Sequence, residues 1–233
     1  MHIMTMTCPD ICAAVKVLSE ALDNPGQKHV DALYWLLRYL KGTQSYGITY
    51  IGHKDSRRNQ SQYPIELQGY CDADWARDIH DRKSWSGYVF LMAGGAISWW
   101  SGKQEVVATS TTHAEYIAQD HAVRELMWIL QFLKEIGFPA EEITRVYGHI
   151  NQSAPLLYGD NQGAQSLAKN PVHHRLTKHI DIRYHFIREQ LVKKVLKLVY
   201  CPTQKNTADI MTKPLIRSIF ERHRETMGIS DVV

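Results

Sequence analysis

The sequence predicts an α/β fold: a mixed five-stranded sheet flanked by helices, with a short helical appendage at the N-terminus. Three extended apolar runs follow one another, and Gly94-Gly95 marks a hairpin between the second and the third. A long amphipathic helix follows, over about His113 to Ile136. Beyond it, short strands alternate with helices, which is typical of a sheet covered by helices.

Before this core, the periodicity predicts helices from Asp10 to Leu22 and from Lys28 to Lys41, then a strand from Tyr46 to Ile51. A polar stretch from His53 to Tyr63 indicates an exposed linker. The predicted core elements are Ile65–Asp72, Gly87–Met92, Ala96–Trp100, Leu156–Tyr158 and Val195–Cys201 as strands, and Asn161–Ala168, Ile180–Val192 and Asn206–Leu215 as helices.

Composition and charge are those of an ordinary globular domain. The 233 residues are 44% hydrophobic and 22% charged, and the net charge of +3 permits nucleic-acid binding without requiring it. No run of about 18 apolar residues is present, so we expect no transmembrane helix. The four cysteines, Cys8, Cys12, Cys71 and Cys201, form no C-x-x-C pair. This pattern favours neither zinc nor redox chemistry and suits a reducing, intracellular compartment, cytoplasmic or nuclear.

Four acidic residues are the strongest functional signal. Asp72 and Asp160 each end a predicted strand, Glu115 opens the long helix, and Asp209 lies where the last helix begins. Four carboxylates gathered in space cannot all stay ionised without cations between them. Hard oxygen ligands of this kind suit Mg²⁺ or Mn²⁺, and two such ions about 4 Å apart can promote phosphodiester hydrolysis.

Each carboxylate also has a purely structural explanation. Thr112-x-x-Glu115 fits a capping box, and Asp160 could be the N-cap of the helix that follows it. Asp209 could complement a helix dipole, and Asp72 could be a turn residue at a strand end. The functional interpretation therefore depends on all four residues occurring in one topological order.

The sequence around these carboxylates resembles the end of the reverse transcriptase in Pol polyproteins of copia-type retrotransposons. The stretches that carry the resemblance are Gly69-Tyr-Cys-Asp-Ala-Asp-Trp-Ala76, Arg82-Lys-Ser-Trp-Ser-Gly-Tyr-Val-Phe90, Ile97-Ser-Trp-Trp-Ser-Gly-Lys-Gln104, Ser110-Thr-Thr-His-Ala-Glu-Tyr-Ile-Ala118, Asp160-Asn-Gln-Gly-Ala164, Lys178-His-Ile-Asp-Ile-Arg-Tyr-His-Phe-Ile-Arg188 and Ala208-Asp-Ile-Met-Thr-Lys-Pro-Leu215. The resemblance implies a ribonuclease H-like domain that cuts the RNA strand of an RNA–DNA hybrid.

The same resemblance implies a division of the chain into three parts. Residues 1–63 correspond to a remnant of the connection to the polymerase, residues 64–217 to the ribonuclease H-like domain, and residues 218–233 to a C-terminal tail. No catalytic polymerase motif is visible, so we expect no DNA synthesis by this chain alone. A reverse transcriptase polymerase domain is an expected partner.

The resemblance also assigns roles to the four carboxylates. Asp72 would bridge two Mg²⁺ ions, for which Mn²⁺ is a possible substitute. Glu115 and Asp160 would hold the ion on the leaving-group side, and Asp209 the ion that activates water.

Other residues are candidates for supporting roles. Asp74 shares the strand face of Asp72, and we assign it and His185 a place next to the ligands. The candidates for contact with the hybrid are Arg82, Lys83, Lys103, Arg175, Lys178 and His179. Phosphate contacts from such side chains would make the affinity depend on salt.

Two other classes stay open from the sequence. The first is a catalytically silent domain of the same fold that binds nucleic acid or protein. The second is another nuclease of this broad fold, an integrase or a junction resolvase. The place of Glu115 between Asp72 and Asp160 favours a ribonuclease H, because familiar integrases carry their glutamate after both aspartates. The sequence leaves the oligomeric state open.

Overall fold

The computed structural model describes residues 1–51, 67–78, 81–138, 154–169 and 178–232, and it confirms the predicted α/β class. The strands are β1 (Tyr46–Ile48), β2 (Gln68–Asp74), β3 (Trp85–Met92), β4 (Gly95–Lys103), β5 (Leu156–Gly159), β6 (Lys197–Tyr200) and β7 (Ile229–Asp231). Five of them form one mixed sheet in the order β4-β3-β2-β5-β6. The predicted linker, 53–63, lies outside the described residues.

The helices of the described residues are α1 (His2–Met6), α2 (Cys12–Ser19), α3 (Gln27–Gly42), α4 (Thr111–Glu135), α5 (Gln162–Lys169), α6 (Lys178–Val192), α7 (Asp209–Thr212) and α8 (Arg217–Thr226), with 3₁₀ turns at Pro9–Ile11 and Thr203–Lys205. The closing helix predicted over Asn206–Leu215 is therefore shorter than expected. It ends at Thr212 because Lys213, which precedes Pro214, takes an extended conformation. Within the described ranges, no helix combines the length and the apolar character needed to cross a bilayer.

Strand pairing brings two of the predicted carboxylates to one edge of the sheet. β2 is antiparallel to β3, with Asp72 opposite Gly87, and parallel to β5, with Tyr70 opposite Tyr158. Parallel strands end at the same edge of a sheet. Asp72, near the end of β2, and Asp160, directly after β5, therefore become neighbours.

One face of the sheet packs against α4. The apolar core on this face joins Cys71, Phe90 and Leu157 from the sheet to Tyr116 and Leu126 from the helix. Because α4 lies across this face, its first turns are held close to the ends of β2 and β5.

The opposite face is covered by the two ends of the chain. Met4 and Ile11 pack there with Val89, Met211 and Met227 in a second apolar core. β1 pairs antiparallel with β7, and the segment predicted as a tail, 218–233, contains β7 and all of α8 except its first residue, Arg217. The N-terminal appendage and the C-terminal segment thus pack together, while the division into 1–63, 64–217 and 218–233 stays a prediction.

Candidate metal centre

Three of the four predicted carboxylates converge at the edge of the sheet. One carboxylate oxygen each from Asp72, Glu115 and Asp160 lies within 4.8 Å of the other two. Asp72 and Glu115 are buried and Asp160 is half-buried. Three oxygen ligands at such spacing are a donor set that a hard divalent cation prefers.

Asp209 reaches the same place from α7, which lies against the sheet beside Asp72. A Cβ atom on Gly87 would lie 2.5 Å from Met211 Cβ and 3.0 Å from Thr212 Cγ2. The short helix can therefore approach β3 only because residue 87 has no side chain. Asp209 is itself buried, with 3% of its surface exposed.

A lysine links Asp209 to Asp72. The Lys213 ammonium lies 3.1 Å from Asp209 Oδ1 and 3.6 Å from Asp72 Oδ2. The Thr212 hydroxyl also donates a hydrogen bond to Asp72 Oδ2. One oxygen of Asp72 thus accepts a hydrogen bond from the protein, and Asp209 Oδ1 has an ion-pair partner although it accepts no hydrogen bond from the described residues.

Two other oxygens of the cluster, one on Asp72 and one on Glu115, have no protein donor among the described residues. Asp72 Oδ1 and Glu115 Oε2 are buried without a hydrogen-bond partner, while Glu115 Oε1 accepts from the Ala73 amide at 3.3 Å. Burying carboxylate oxygens without a partner costs free energy unless a ligand or a proton is bound. The donor set and its orphaned oxygens therefore fit a divalent cation such as Mg²⁺.

Burial and mutual repulsion change the proton affinity of the cluster. Burial, and then the charges of Asp72 and Asp160, raise the pKa of Glu115 well above its ordinary value. Burial and the Asp72 charge raise the pKa of Asp209 to about 8, against the opposing effect of Lys213. Burial also raises the pKa of Asp72. Burial alone would lower the pKa of Lys213, but Asp72 and Asp209 outweigh it and raise that pKa.

The capping explanations for Glu115 and Asp160 are wrong. Ser110 caps α4, since its hydroxyl accepts from the His113 amide at 3.1 Å, and Glu115 lies inside the helix. Asn161 caps α5, since its side-chain oxygen accepts from the Ala164 amide at 2.8 Å. Both carboxylates are therefore free of the capping roles that the sequence allowed.

Asp74 forms an ion pair with a neighbouring arginine. It pairs with Arg77 at 3.2 Å, and Arg77 also donates to the Thr212 carbonyl at 2.7 Å. Asp74 is thus connected to the end of α7 through Arg77. Its supporting role stays a prediction.

Two of the candidates for phosphate contact, Lys83 between β2 and β3 and Lys103 at the end of β4, are engaged with carboxylates. Lys103 pairs with Asp78, and with Asp81 at 2.8 Å, while Lys83 lies 4.0 Å from Asp81. Arg82 has a positive φ of 56°. The proposed contacts of Arg82, Lys83 and Lys103 with nucleic acid stay predictions.

The other candidates lie on or before α6. Lys178 and His179 are its first two residues, and His185 is exposed on the same helix. Arg175 lies outside the described residues. The positions of these residues do not test their predicted roles, which stay predictions.

Three residues at the centre were missed by the sequence interpretation. Thr212 and Lys213 follow Asp209 by three and four positions, a spacing that brings side chains together on a helix and could have indicated them. The Thr203 hydroxyl donates to Asp160 Oδ2 at 2.6 Å. That contact joins residues far apart in the chain, and no sequence pattern predicts it.

The fold and the site together define an α/β domain with a carboxylate cluster at the ends of two parallel strands of a mixed five-stranded sheet. No family model matches the chain. The retrovirus-related Pol polyprotein from transposon TNT 1-94 of Nicotiana tabacum is 43% identical over 229 residues, which are 98% of this chain and 16% of that protein. The corresponding polyprotein from transposon RE1 of Arabidopsis thaliana is 38% identical over 229 residues, 98% of this chain and 14% of that protein.

The chain belongs to the Pol polyproteins of copia-type retrotransposons, and it spans about one sixth of the length of these relatives. Among solved structures, the N-terminal RNase H domain of Rv2228c from Mycobacterium tuberculosis, fused to maltose binding protein, is 11% identical. That match covers 70% of this chain and 98% of the solved chain, with a TM-score of 0.42.

Proposed function

We propose that this domain hydrolyses the RNA strand of RNA–DNA hybrids with two divalent cations. The observation that carries the proposal is the convergence of Asp72, Glu115 and Asp160 within 4.8 Å, with buried oxygens that lack protein donors. A cluster of this kind is costly for a purely structural protein and useful in a metal-dependent hydrolase.

The chain's own residues hold the site in place. Asp72 would serve both ions, because it belongs to the group with Glu115 and Asp160, and its Oδ2 also lies near the Lys213 ammonium that contacts Asp209. Rigid supports of this kind keep ligands within the narrow geometry that catalysis requires.

The reaction we propose is hydrolysis of a phosphodiester. The bound cations would polarise the phosphate and lower the pKa of the attacking water. A water oxygen forms a bond to phosphorus, the bond from phosphorus to a bridging oxygen of the RNA strand breaks, and the water proton ends on the departing oxygen. No oxidant or further co-reactant is needed.

The choice of hybrid as substrate is supported by the family. Members are named as retrovirus-related Pol polyproteins, and copying RNA into DNA produces a hybrid whose RNA strand must be removed. Recognition would use the 2′-hydroxyls of the RNA strand and the shape of the minor groove. Lys and Arg side chains would bind the phosphates, so cleavage should weaken with added salt.

Cleavage of a hybrid labelled on each strand, with Mg²⁺ or Mn²⁺ supplied, tests the proposal. The parent chain should cut the RNA strand, and Asp72→Asn should reduce the rate by roughly 10²–10³-fold or more, the scale for removing one electrostatic group from an active site. Asp23→Asn, at an exposed position in the loop before α3, is the matched control and should cleave like the parent.

Each failure points to a different alternative. No cleavage by a folded, metal-supplied parent would favour a silent binding domain. Cleavage of branched DNA or of DNA ends in preference to the hybrid would favour a resolvase or an integrase. Cleavage that survives in Asp72→Asn would remove the carboxylate cluster from the mechanism.

A further inference from the structure

The Lys213 ammonium lies between the two carboxylates to which the proposed function assigns a second cation. It is 3.1 Å from Asp209 Oδ1 and 3.6 Å from Asp72 Oδ2, so it bridges these two carboxylates. We call the part of the cluster around Asp209 and Lys213 the α7 side, and the part around Glu115 and Asp160 the α4 side. On the α4 side, Asp72 Oδ1 and Glu115 Oε2 face no donor. The two halves of the centre are therefore unequal before any ion binds.

We infer that Lys213 is an internal counter-ion that competes with the second divalent cation. The first cation enters between Asp72, Glu115 and Asp160, while the ammonium keeps the position between Asp72 and Asp209. The second cation binds firmly only after the ammonium moves away. This inference rests on the proposed function, because it assigns an order to the two ions of that site.

Electrostatics gives the reason for the order. A divalent ion next to an ammonium group is repelled, and at short range in a partly buried place this repulsion weakens binding by at least roughly tenfold. Among the described residues, Glu115 and Asp160 form no ion pair, and Lys213 acts on these two carboxylates only at longer range, so the first cation meets weaker repulsion there.

The lysine side chain is able to leave. Its side chain is 29% exposed, so part of it already faces solvent, and a lysine stem is flexible. Its backbone is extended and Pro214 follows, which fixes the main chain while the side chain turns. Displacement of the ammonium therefore requires a rotamer change rather than unfolding of α7.

Mn²⁺ binding to the whole chain without nucleic acid tests the inference, by counting ions with electron paramagnetic resonance and by calorimetric titration. The parent should bind one Mn²⁺ and take up a second at least roughly tenfold more weakly. Lys213→Met should bind the second Mn²⁺ at least roughly tenfold more tightly than the parent does. Lys213→Arg, which keeps the charge, should behave like the parent.

The matched control is Lys193→Met, since Lys193 forms an i,i+4 pair with Glu189 on α6, as Lys213 does with Asp209. It should leave both Mn²⁺ affinities unchanged. Equal second-ion affinities in the parent and in Lys213→Met would overturn the inference. The readout is binding, so absence of hybrid cleavage would overturn the proposed function without deciding the role of Lys213.

A measurement on the parent alone covers the case in which Lys213→Met does not fold. The ¹⁵N-ammonium resonance of Lys213 should be protected in the metal-free protein and should lose that protection as Mg²⁺ saturates both positions. An ammonium that stays protected at saturating Mg²⁺ would also overturn the inference.

Discussion

The two sides of the carboxylate cluster differ in how the negative charge of their buried carboxylates is compensated. On the α7 side, Thr212 and Lys213 neutralise the oxygens of Asp72 and Asp209. On the α4 side, Asp72 Oδ1 and Glu115 Oε2 are buried without protein donors. The difference teaches that the protein supplies a positive charge on one side, while the other side depends on protons or on a bound cation.

The two sides of the cluster are also supported by different apolar cores. The α4 side lies on the core that α4 forms with the sheet. The α7 side lies on the second core, where Ile210 and Met211 of α7 pack with Met4 and Ile11 from the N-terminal appendage. The appendage therefore supports the position of Asp209, although it contributes no ligand.

The largest expected effect is a loss of stability of the metal-free protein as the pH rises. Burial raises the folded pKa of Asp72, Glu115 and Asp209, so the folded chain holds more protons than the unfolded chain above their ordinary values. The resulting stability is complete below pH 3.8 for Asp209 and is lost as the pH rises through about 8. Each such group contributes up to about 1.4 kcal/mol per pH unit to the slope of the unfolding free energy, measured by urea titration with a chelator present.

Two further samples sharpen this test. Saturating Mg²⁺ replaces protons as the neutralising charge and should flatten the dependence. Glu115→Gln removes one buried carboxylate on the α4 side and should reduce the slope without metal. A metal-free protein whose stability does not change over this pH range would contradict the contrast between the two sides.

The next prediction compares two glycines: Gly87, in β3 against α7, and Gly159, at the end of β5 before Asp160. A Cβ on Gly87 would lie 2.5 Å from Met211 Cβ, whereas at Gly159 the nearest atom is Cys71 Sγ at 3.5 Å, an ordinary contact. We expect Gly87→Ala to lower the unfolding free energy by about 1–3 kcal/mol, because α7 must move away from β3. Gly159→Ala should stay within about 0.5 kcal/mol.

Chemical denaturation of the two alanine variants measures this difference, and Mn²⁺ titration of the same samples adds a second readout. Movement of α7 carries Asp209 away from Asp72, so Gly87→Ala should also bind the second ion more weakly. Equal effects at the two positions would mean that the close approach of α7 is not what Gly87 provides.

The sequence predicted those parts of the centre that depend on local patterns. Strand alternation and helical periodicity are short-range signals, and they located the strands that carry Asp72 and precede Asp160 and the helix that carries Glu115, although β2 continues two residues beyond the predicted end at Asp72. Because β2 and β5 are parallel neighbours, the ends that carry Asp72 and Asp160 lie side by side, and the structure brings Asp72, Glu115 and Asp160 together. Their role as ligands remains part of the proposal.

What the sequence did not predict depends on contacts between distant segments. The Thr212–Asp72 hydrogen bond joins residues 140 positions apart, and the pairing of β1 with β7 joins the two ends of the chain. Nothing in the local pattern around Gly87 specifies that α7 lies against it. Such contacts arise from packing of the whole chain, which propensity and periodicity do not encode.

The last prediction compares the two threonine hydroxyls that donate hydrogen bonds to the carboxylates. Thr212 is buried and donates to Asp72, whereas Thr203 is exposed and donates to Asp160. A buried hydrogen bond to a charged group contributes more than one that water can replace. In metal-free protein, Thr212→Val should therefore cost about 1.5–3 kcal/mol of unfolding free energy, and Thr203→Val less than about 1 kcal/mol. Equal losses in urea titration would show that water reaches Asp72 as readily as Asp160, and the α7 side would then be no more closed than the α4 side.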